Sequence, residues 1–408
     1  MFLKTNELQC LLVYLDAFSY QEINYLNEKI TNMGKQIIFI QTEETVKLPN
    51  NSLLIQETFQ DRVFGPRKII ESAMRLTDLA SYQMILVSKD HLKLKSAVHL
   101  PISTVLFNEN PHINYNDIGN LPDLKLGNIR GIPELFKKTT GYFSEVFSTH
   151  LSKKSKWSES GYIFKFFAHS EKTNLEIISG GRYFGPKHSL YESSQLSKRI
   201  RKSKNETSQD NLFNDIFFSI IKVINEVQNV NGITRVPSRP EKKDRLAPIV
   251  SLLSKRLGTV DLSPNLSCKH NYPPHKNLNK EQRFMNVKDQ FSARLHNSLD
   301  HVVLIDDVFT TGATMLECAK ELYNAGIKKV TGVVLGVNQF ADEFMDRFIS
   351  CEKCGGKLQL FLNKRNYSAF YGCTEYQEHQ CPTHSYGDGL KRMVTENSFD
   401  LVNTNEEF

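Results

Sequence analysis

Short apolar blocks separated by longer amphipathic stretches recur along this chain, and that alternation predicts its architecture. Cys10 to Leu15 is an apolar run, Tyr20 to Met33 has helical spacing, and Ile37 to Ile40 is apolar again. A helix from about Arg67 to Leu76, the run Met84 to Val87, a further helix and the run Thr104 to Phe107 continue the series. Alternating β and α elements predict a parallel sheet covered by helices on both faces. Beyond residue 126 the pattern predicts a packing helix over Pro133 to His150 and a strand over Tyr162 to Ala168. The polar, basic stretch Ser189 to Ser208 reads as a mobile loop, followed by an amphipathic helix over Asn211 to Val227 and a strand over Ile233 to Val236. Val302 to Ile305 then forms a β-branched run suited to a strand buried on both faces, ahead of the helical MLECAKELYNAG and the apolar KVTGVVLGV.

The chemistry gathers at that last strand. Asp306 and Asp307 end it, and Thr310, Thr311, Gly312, Ala313 and Thr314 follow where a helix must begin. Such a loop can turn backbone N–H groups and the positive end of the helix toward a phosphate, with threonine hydroxyls as extra donors. The acids are badly placed to hold a phosphate and well placed for sugar hydroxyls or Mg2+. An ordinary strand–turn–helix with a threonine N-cap is the plainer alternative. The strand, acid pair and TTGAT resemble the signature of type I phosphoribosyltransferases, which bind phosphoribosyl pyrophosphate (PRPP) with Mg2+. The resemblance implies that Asp306 and Asp307 hold the ribose hydroxyls and that Thr310 to Thr314 cradle the 5-phosphate.

Upstream, PSRPEKKDR is an exposed basic loop after a strand, and either a solvated charge run or an anion site fits it. The resemblance gives the pyrophosphate to this loop, with Arg239 and Lys242 steadying the leaving group as negative charge develops. Leu278, Arg283, Asn286, Val287 and Phe291, with Lys276 before them, extend the resemblance to the ComF-like branch of that family. The loop itself departs from the branch, which usually carries RxRGFNQ where this chain has EKKDRLAP. Asn265 to Glu281, rich in His, Pro and Lys, reads as a lid.

The first 125 residues resemble haloacid dehalogenase-like (HAD) hydrolases in the order of their elements. Here the nucleophile position of the family's DxD motif falls on Tyr14, leaving Asp16, while Lys89 and Lys93 fall where Mg2+-binding acids belong. Cations cannot ligate Mg2+, so a non-catalytic HAD-like domain for packing or partner recognition is expected, with a phosphatase centred on Asp16 as a remote alternative.

Near the other end, Cys351, Cys354, Cys373 and Cys381 have the spacing of two knuckles closing a tetrahedral thiolate site. The remaining three of seven cysteines are scattered, which argues against a disulfide framework. CEKCGGKL and FYGC resemble the four-cysteine zinc ribbons of bacterial type IA topoisomerases, which implies structural Zn2+ and contact with single-stranded DNA. Lys357, Lys364, Arg365, Tyr367, Phe370 and Tyr371 are the matching cations and aromatics; a protein-docking knob is the alternative. Formal net charge is only +6, yet residues 153–204 hold twelve Lys/Arg against four acids, with Trp157, Tyr162, Phe164, Phe166 and Phe167 among them. Either a nucleic-acid groove or a hairpin with an aromatic core face and a solvated basic face fits that composition.

The resulting expectation is an α/β protein in parts: residues 1–125 HAD-like, 126–345 a ComF-like phosphoribosyltransferase domain, 346–385 a zinc ribbon and 386–408 a tail. Its partners would be PRPP and single-stranded nucleic acid, with a protein partner possible through residues 1–125. A non-catalytic DNA-handling adaptor in uptake, repair or mobile-element defence is the alternative function. No apolar stretch reaches membrane-spanning length, and the N-terminus carries no signal-peptide pattern, so a cytoplasmic location is expected.

Overall fold

A computed structural model describes residues 7–42, 48–50, 52–58, 61, 66–95, 97–99, 102–137, 164–186, 188, 190–191, 194–274, 278–295, 298–340, 353–354, 358–362, 369–373 and 375–381. It is an α/β structure with a six-stranded parallel sheet and a second, mixed sheet. The first sheet comprises β1 (Cys10–Tyr14), β2 (Gln36–Gln41), β3 (Leu53–Gln56), β4 (Met84–Ser88), β5 (Ser103–Phe107) and β6 (Leu124–Leu126), in the order β3-β2-β1-β4-β5-β6. Every residue of β1, β4 and β5 is buried, as strands covered by helices on both faces must be. Helix α1 (Tyr20–Thr31) starts at a capping box, where the Glu22 N–H donates to Ser19 Oγ and the Ser19 N–H returns to Glu22 Oε2. It packs Ile23, Leu26 and Ile30 on one face, while α2 (Arg67–Thr77) and α3 (His91–Lys95) bring Ile69, Ile70 and Leu94 to the other. The first core reaches past residue 125, because α4 (Gly131–Lys137) buries Ile132, Leu135 and Phe136 in it. The remainder of the helix expected to His150 lies outside the described residues.

The second sheet runs β11-β10-β14-β15-β8-β7. Its strands are β7 (Phe164–His169), β8 (Asn174–Ser179), β10 (Gly232–Arg235), β11 (Val260–Asp261), β14 (His301–Phe309) and β15 (Lys329–Gln339), with β9 (Arg182–Phe184) also pairing with β15. Only β7 is antiparallel to its neighbour, which makes the sheet mixed. Helices α5 (Gln195–Lys202), α6 (Asp210–Val227) and α7 (Ala247–Leu257) cover one face, with Phe217, Ile220, Val250 and Leu253 fully buried. The other face is closed by α8 (Lys280–Val287), α9 (Ala313–Asn324) and a small ribbon of β12 (Leu266–Cys268) with β13 (Phe291–Ala293).

One reading of the sequence needs correction here. The stretch expected to be a loop over 189–208 contains helix α5, which begins where Ser194 Oγ accepts from the Ser197 N–H and is anchored by buried Leu196 and Ile200. Two apolar residues four apart were enough to seat it, though too few to show as a pattern among its lysines and arginines. Of the two readings of the aromatic run, the hairpin with an aromatic core face fits β7 and β8, where Phe164 and Phe166 are buried and Phe167 is 41% exposed.

Residues 112–123 tie the two sheets together. The Ile113 N–H donates to the Lys165 carbonyl, and His112 Nε2 lies 2.8 Å from Glu176 Oε1. Gln339, at the end of β15, accepts from the Leu121 N–H and donates to the Ile118 carbonyl. Arg182 and Asp123, 1% and 0% exposed, form an ion pair at 2.8 Å across the junction. Among the described residues no helix is long and apolar enough to cross a membrane.

Candidate ligand site

In an open α/β sheet, ligands bind outside the carboxyl ends of the strands, where the strand order reverses direction. In the second sheet that point lies between β10 and β14: the chain goes outward from β10 to β11, then returns to build β14 and β15 on the other side. A cavity of about 500 Å³ opens there. Its walls are the loop after β10 (Val236 to Arg239, Lys242, Lys243, Arg245), the turn between α5 and α6 (Ser203 to Thr207), Tyr272 and Asp306.

The acids do not end β14, as the sequence suggested. The strand continues to Phe309 because β15 is long enough to pair with it as far as Phe309↔Val337. On the opposite side β10 pairs only as far as Arg235↔Ile305, after which the Val236 N–H makes a last bond to the Ile305 carbonyl. The acids therefore sit on a strand with one edge open. Successive strand residues alternate between faces, yet the two carboxyls remain close enough to interact directly. Asp306 lines the cavity. Asp307 instead accepts from Arg245 Nη2 at 2.9 Å, and Arg245 also donates to Ser203 Oγ at 3.3 Å. Burial, then the neighbouring Asp307, pushes the Asp306 carboxyl well above the usual carboxylate range.

Arg239 and Lys242, expected at the anion end, both line the cavity, with Lys242 exposed. Arg239 donates to the Tyr272 carbonyl at 2.6 Å and stacks its guanidinium 5.5 Å from the same residue's ring. The loop is held at its root by Arg235, 8% exposed, which pairs with Asp244 at 2.7 Å and donates to the Leu266 carbonyl. Asp244 also accepts the N–H groups of Leu246 and Ala247, which starts α7. Neither this brace nor the Arg245–Asp307 pair was visible in the sequence, since partners 9 and 62 residues apart share no local pattern.

Thr310 to Gly312 form the turn into α9, which Ala313 and Thr314 open, though none of the five lines the cavity. Gly312 adopts φ +75°, and a Cβ on it would stand 2.5 Å from the Phe309 ring, so both backbone and space demand glycine. No side chain caps the first turn of α9 among the described residues. Thr310 is exposed, and Arg283 Nη1 reaches its hydroxyl at 3.3 Å. Asn279 caps α8 and so sets where Arg283 stands. Of the segment read as a lid, residues 275–277 lie outside the described residues, while β12 and β13 fold over α9 with Val287 and Phe291 in the core.

The reversal point of the first sheet, between β1 and β4, holds a different arrangement. Lys93 Nζ lies 2.5 Å from Glu57 and 3.4 Å from Asp16, and Thr42 Oγ1 donates toward both acids. Tyr14 is buried, and that burial, with Glu57 next, raises its hydroxyl far above the usual range. An ammonium group thus balances the acids here. Lys89 is engaged elsewhere, bonding both Glu22 oxygens at 2.8 Å.

In the C-terminal segment, β16 (Leu358–Leu362) pairs antiparallel with β17 (Ala369–Cys373), and a short helix, α10 (Tyr376–His379), follows. Cys354 Sγ lies 3.4 Å from the Sγ atoms of Cys373 and Cys381, and the three sulfurs fall within 4.8 Å of one another. A tetrahedral thiolate shell with bonds of about 2.3 Å has edges of roughly 3.8 Å, so the trio can hold a metal. Cys351, Lys357, Lys364, Arg365 and Tyr367 lie outside the described residues, as do Trp157, Tyr162 and the 386–408 tail. No known family model matches this chain, and no curated protein sequence matches it.

Proposed function

We propose that the crevice between β10 and β14 binds PRPP with Mg2+, in the manner of a ComF-like phosphoribosyltransferase domain. The observation that carries this reading is that Asp306, on the open edge of β14, lines one cavity together with Arg239, Lys242 and Lys243. A carboxylate and several cations around one cavity suit a ligand with sugar hydroxyls and a diphosphate. The electrostatics fit a divalent ion too: Asp306 is strained toward protonation, and a cation arriving with the diphosphate would relieve it. Asp306 thus becomes the principal ribose and Mg2+ contact, and Asp307 acts through its bond to Arg245 rather than as an equal partner.

Were transfer to occur, the bond from ribose C1 to pyrophosphate breaks as an acceptor nucleophile donates an electron pair to C1, the bonding pair leaves with pyrophosphate, and Arg239 and Lys242 offset the charge. The acids lining the cavity are Asp306 and Glu206, and the Ser208 hydroxyl lowers the latter's pKa, so it is a weak proton acceptor. The test is calorimetric titration of PRPP with and without Mg2+ into the intact chain and into the Asp306→Asn/Asp307→Asn variant. Mg2+-dependent binding that the variant loses is expected; absence of binding to the unaltered chain would remove the proposal.

The gathered cysteines favour a second, compatible reading, in which Zn2+ held by Cys351, Cys354, Cys373 and Cys381 folds a ribbon that contacts single-stranded nucleic acid. The ribose-phosphate site would then serve as the sensor of a DNA-handling adaptor. Affinity for an oligonucleotide falling steeply with salt supports this version; salt-independent or absent binding counts against it.

A further inference from the structure

The turn that carries Thr310 to Thr314 is gripped from outside its own sheet. Tyr115, on the segment that joins the two sheets, donates its hydroxyl to the Thr311 carbonyl at 2.7 Å across 196 residues of sequence. The ring is fixed on several sides. Its centroid lies 6.3 Å from Phe309 and 6.4 Å from Phe166, and Lys280 Nζ sits 4.6 Å from it. Two residues earlier, Ile113 bonds the Lys165 backbone, so the segment cannot slide along β7 without breaking that contact. Burial raises the Tyr115 pKa, which keeps the hydroxyl protonated and donating.

The peptide between Thr311 and Gly312 is planar and trans, so its carbonyl and its N–H point in opposite directions. Pinning the carbonyl on Tyr115 fixes where the Gly312 N–H points, at the one residue of the turn whose φ is positive. On the opposite flank Arg283 holds Thr310. The turn is thereby set by two residues, one of which belongs to the connection between β5 and β6 of the first sheet.

We infer that Tyr115 is a positioning residue of the Thr310–Thr314 turn, to which the resemblance gives the 5-phosphate although the turn itself does not line the cavity, and that the site is incomplete without the 112–123 segment. This rests on the reading of the crevice as a ribose-phosphate site. Tyr115 touches no ligand; it acts by presenting backbone donors in one orientation, which spares the ligand the cost of ordering the turn.

Tyr115→Phe in the full-length chain keeps the ring and removes only the hydroxyl. The probes are ribose 5-phosphate, which needs the turn, and inorganic pyrophosphate, which needs only the Arg239 and Lys242 wall, each titrated with Mg2+. The variant is expected to bind ribose 5-phosphate about 5- to 10-fold more weakly, as loss of one hydrogen bond implies, with pyrophosphate affinity unchanged. Equal ribose 5-phosphate affinities in a chain that binds PRPP would overturn this inference and leave the parent reading standing. A parallel loss for both probes would also overturn it, because a general loosening of the domain would explain that result. If the unaltered chain binds no PRPP, both proposals fail together.

Discussion

Asp306 is a residue whose placement works against stability. Its carboxyl has a folded-state pKa above the ordinary value near 3.8, so the folded protein binds its proton more readily than the unfolded chain does. The contribution is favourable at low pH and is lost as pH rises from that ordinary value through the raised one. Asp306→Asn is therefore expected to raise the melting temperature at pH 8 by roughly 2–4 °C, with little change near pH 4, while abolishing ligand binding. A scan of melting temperature against pH checks this; an unchanged difference across the range would contradict it. Gly312→Ala should cost about 2 kcal/mol in a urea titration, combining left-handed backbone strain with the clash against Phe309. Lys93→Met should cost on the order of 3 kcal/mol, because Glu57, with a side chain 2% exposed, loses its cation. At this scale the sequence disclosed residue types but not pairings. Asp306, Arg239 and Lys242 stand out by motif and loop composition, whereas Tyr115, Arg245 and Arg235 act through partners distant in the chain.

The elements repeat this division. Apolar runs marked β1, β2, β4, β5 and β10 within a residue or two, because strands buried on both faces have no polar side to blur the pattern. The end of β14 was misplaced for a physical reason: its last residues are satisfied on one edge only, and which neighbour continues is a property of the sheet. Helix α5 was missed because burial of Leu196 and Ile200 outweighs a polar composition. The C-terminal hairpin belongs to a different regime, since so small a sheet buries too little to hold itself. Removing metal with a chelator, or replacing Cys354 with Ser, is expected to abolish hydrogen-exchange protection in β16 and β17 while leaving the melting temperature of the two large sheets within about 1 °C. Loss of the large-sheet transition at the same chelator concentration would refute the separation.

At the scale of the whole molecule, two sheets with separate cores share one junction, and the pair Arg182–Asp123 is its fully buried ion pair. Asp123 also accepts from the Thr104 N–H and hydroxyl, so it braces β5 as well as the partner sheet. Asp123→Ala would remove the carboxylate that accepts from Arg182 and from Thr104, and a loss of about 3 kcal/mol is expected. Its expected signature is that the two sheets of the variant unfold in more widely separated transitions than those of the unaltered chain, visible as non-coincident curves from circular dichroism and from hydrogen exchange in each sheet.

The position of β15 has a consequence for how the chain comes into being. It pairs with β14, β8 and β9, and its last residues meet Leu121 and Ile118. Yet among the described residues it is the last strand of either large sheet in chain order. Strands β1 to β6 can assemble during synthesis, while β8 must wait some 150 residues for the neighbour that covers its free edge. A nascent chain halted before residue 329 would carry one finished sheet and one unfinished strand ladder. During that interval the unpaired edge of β8 is open to holding chaperones, or to the same edge on another nascent chain.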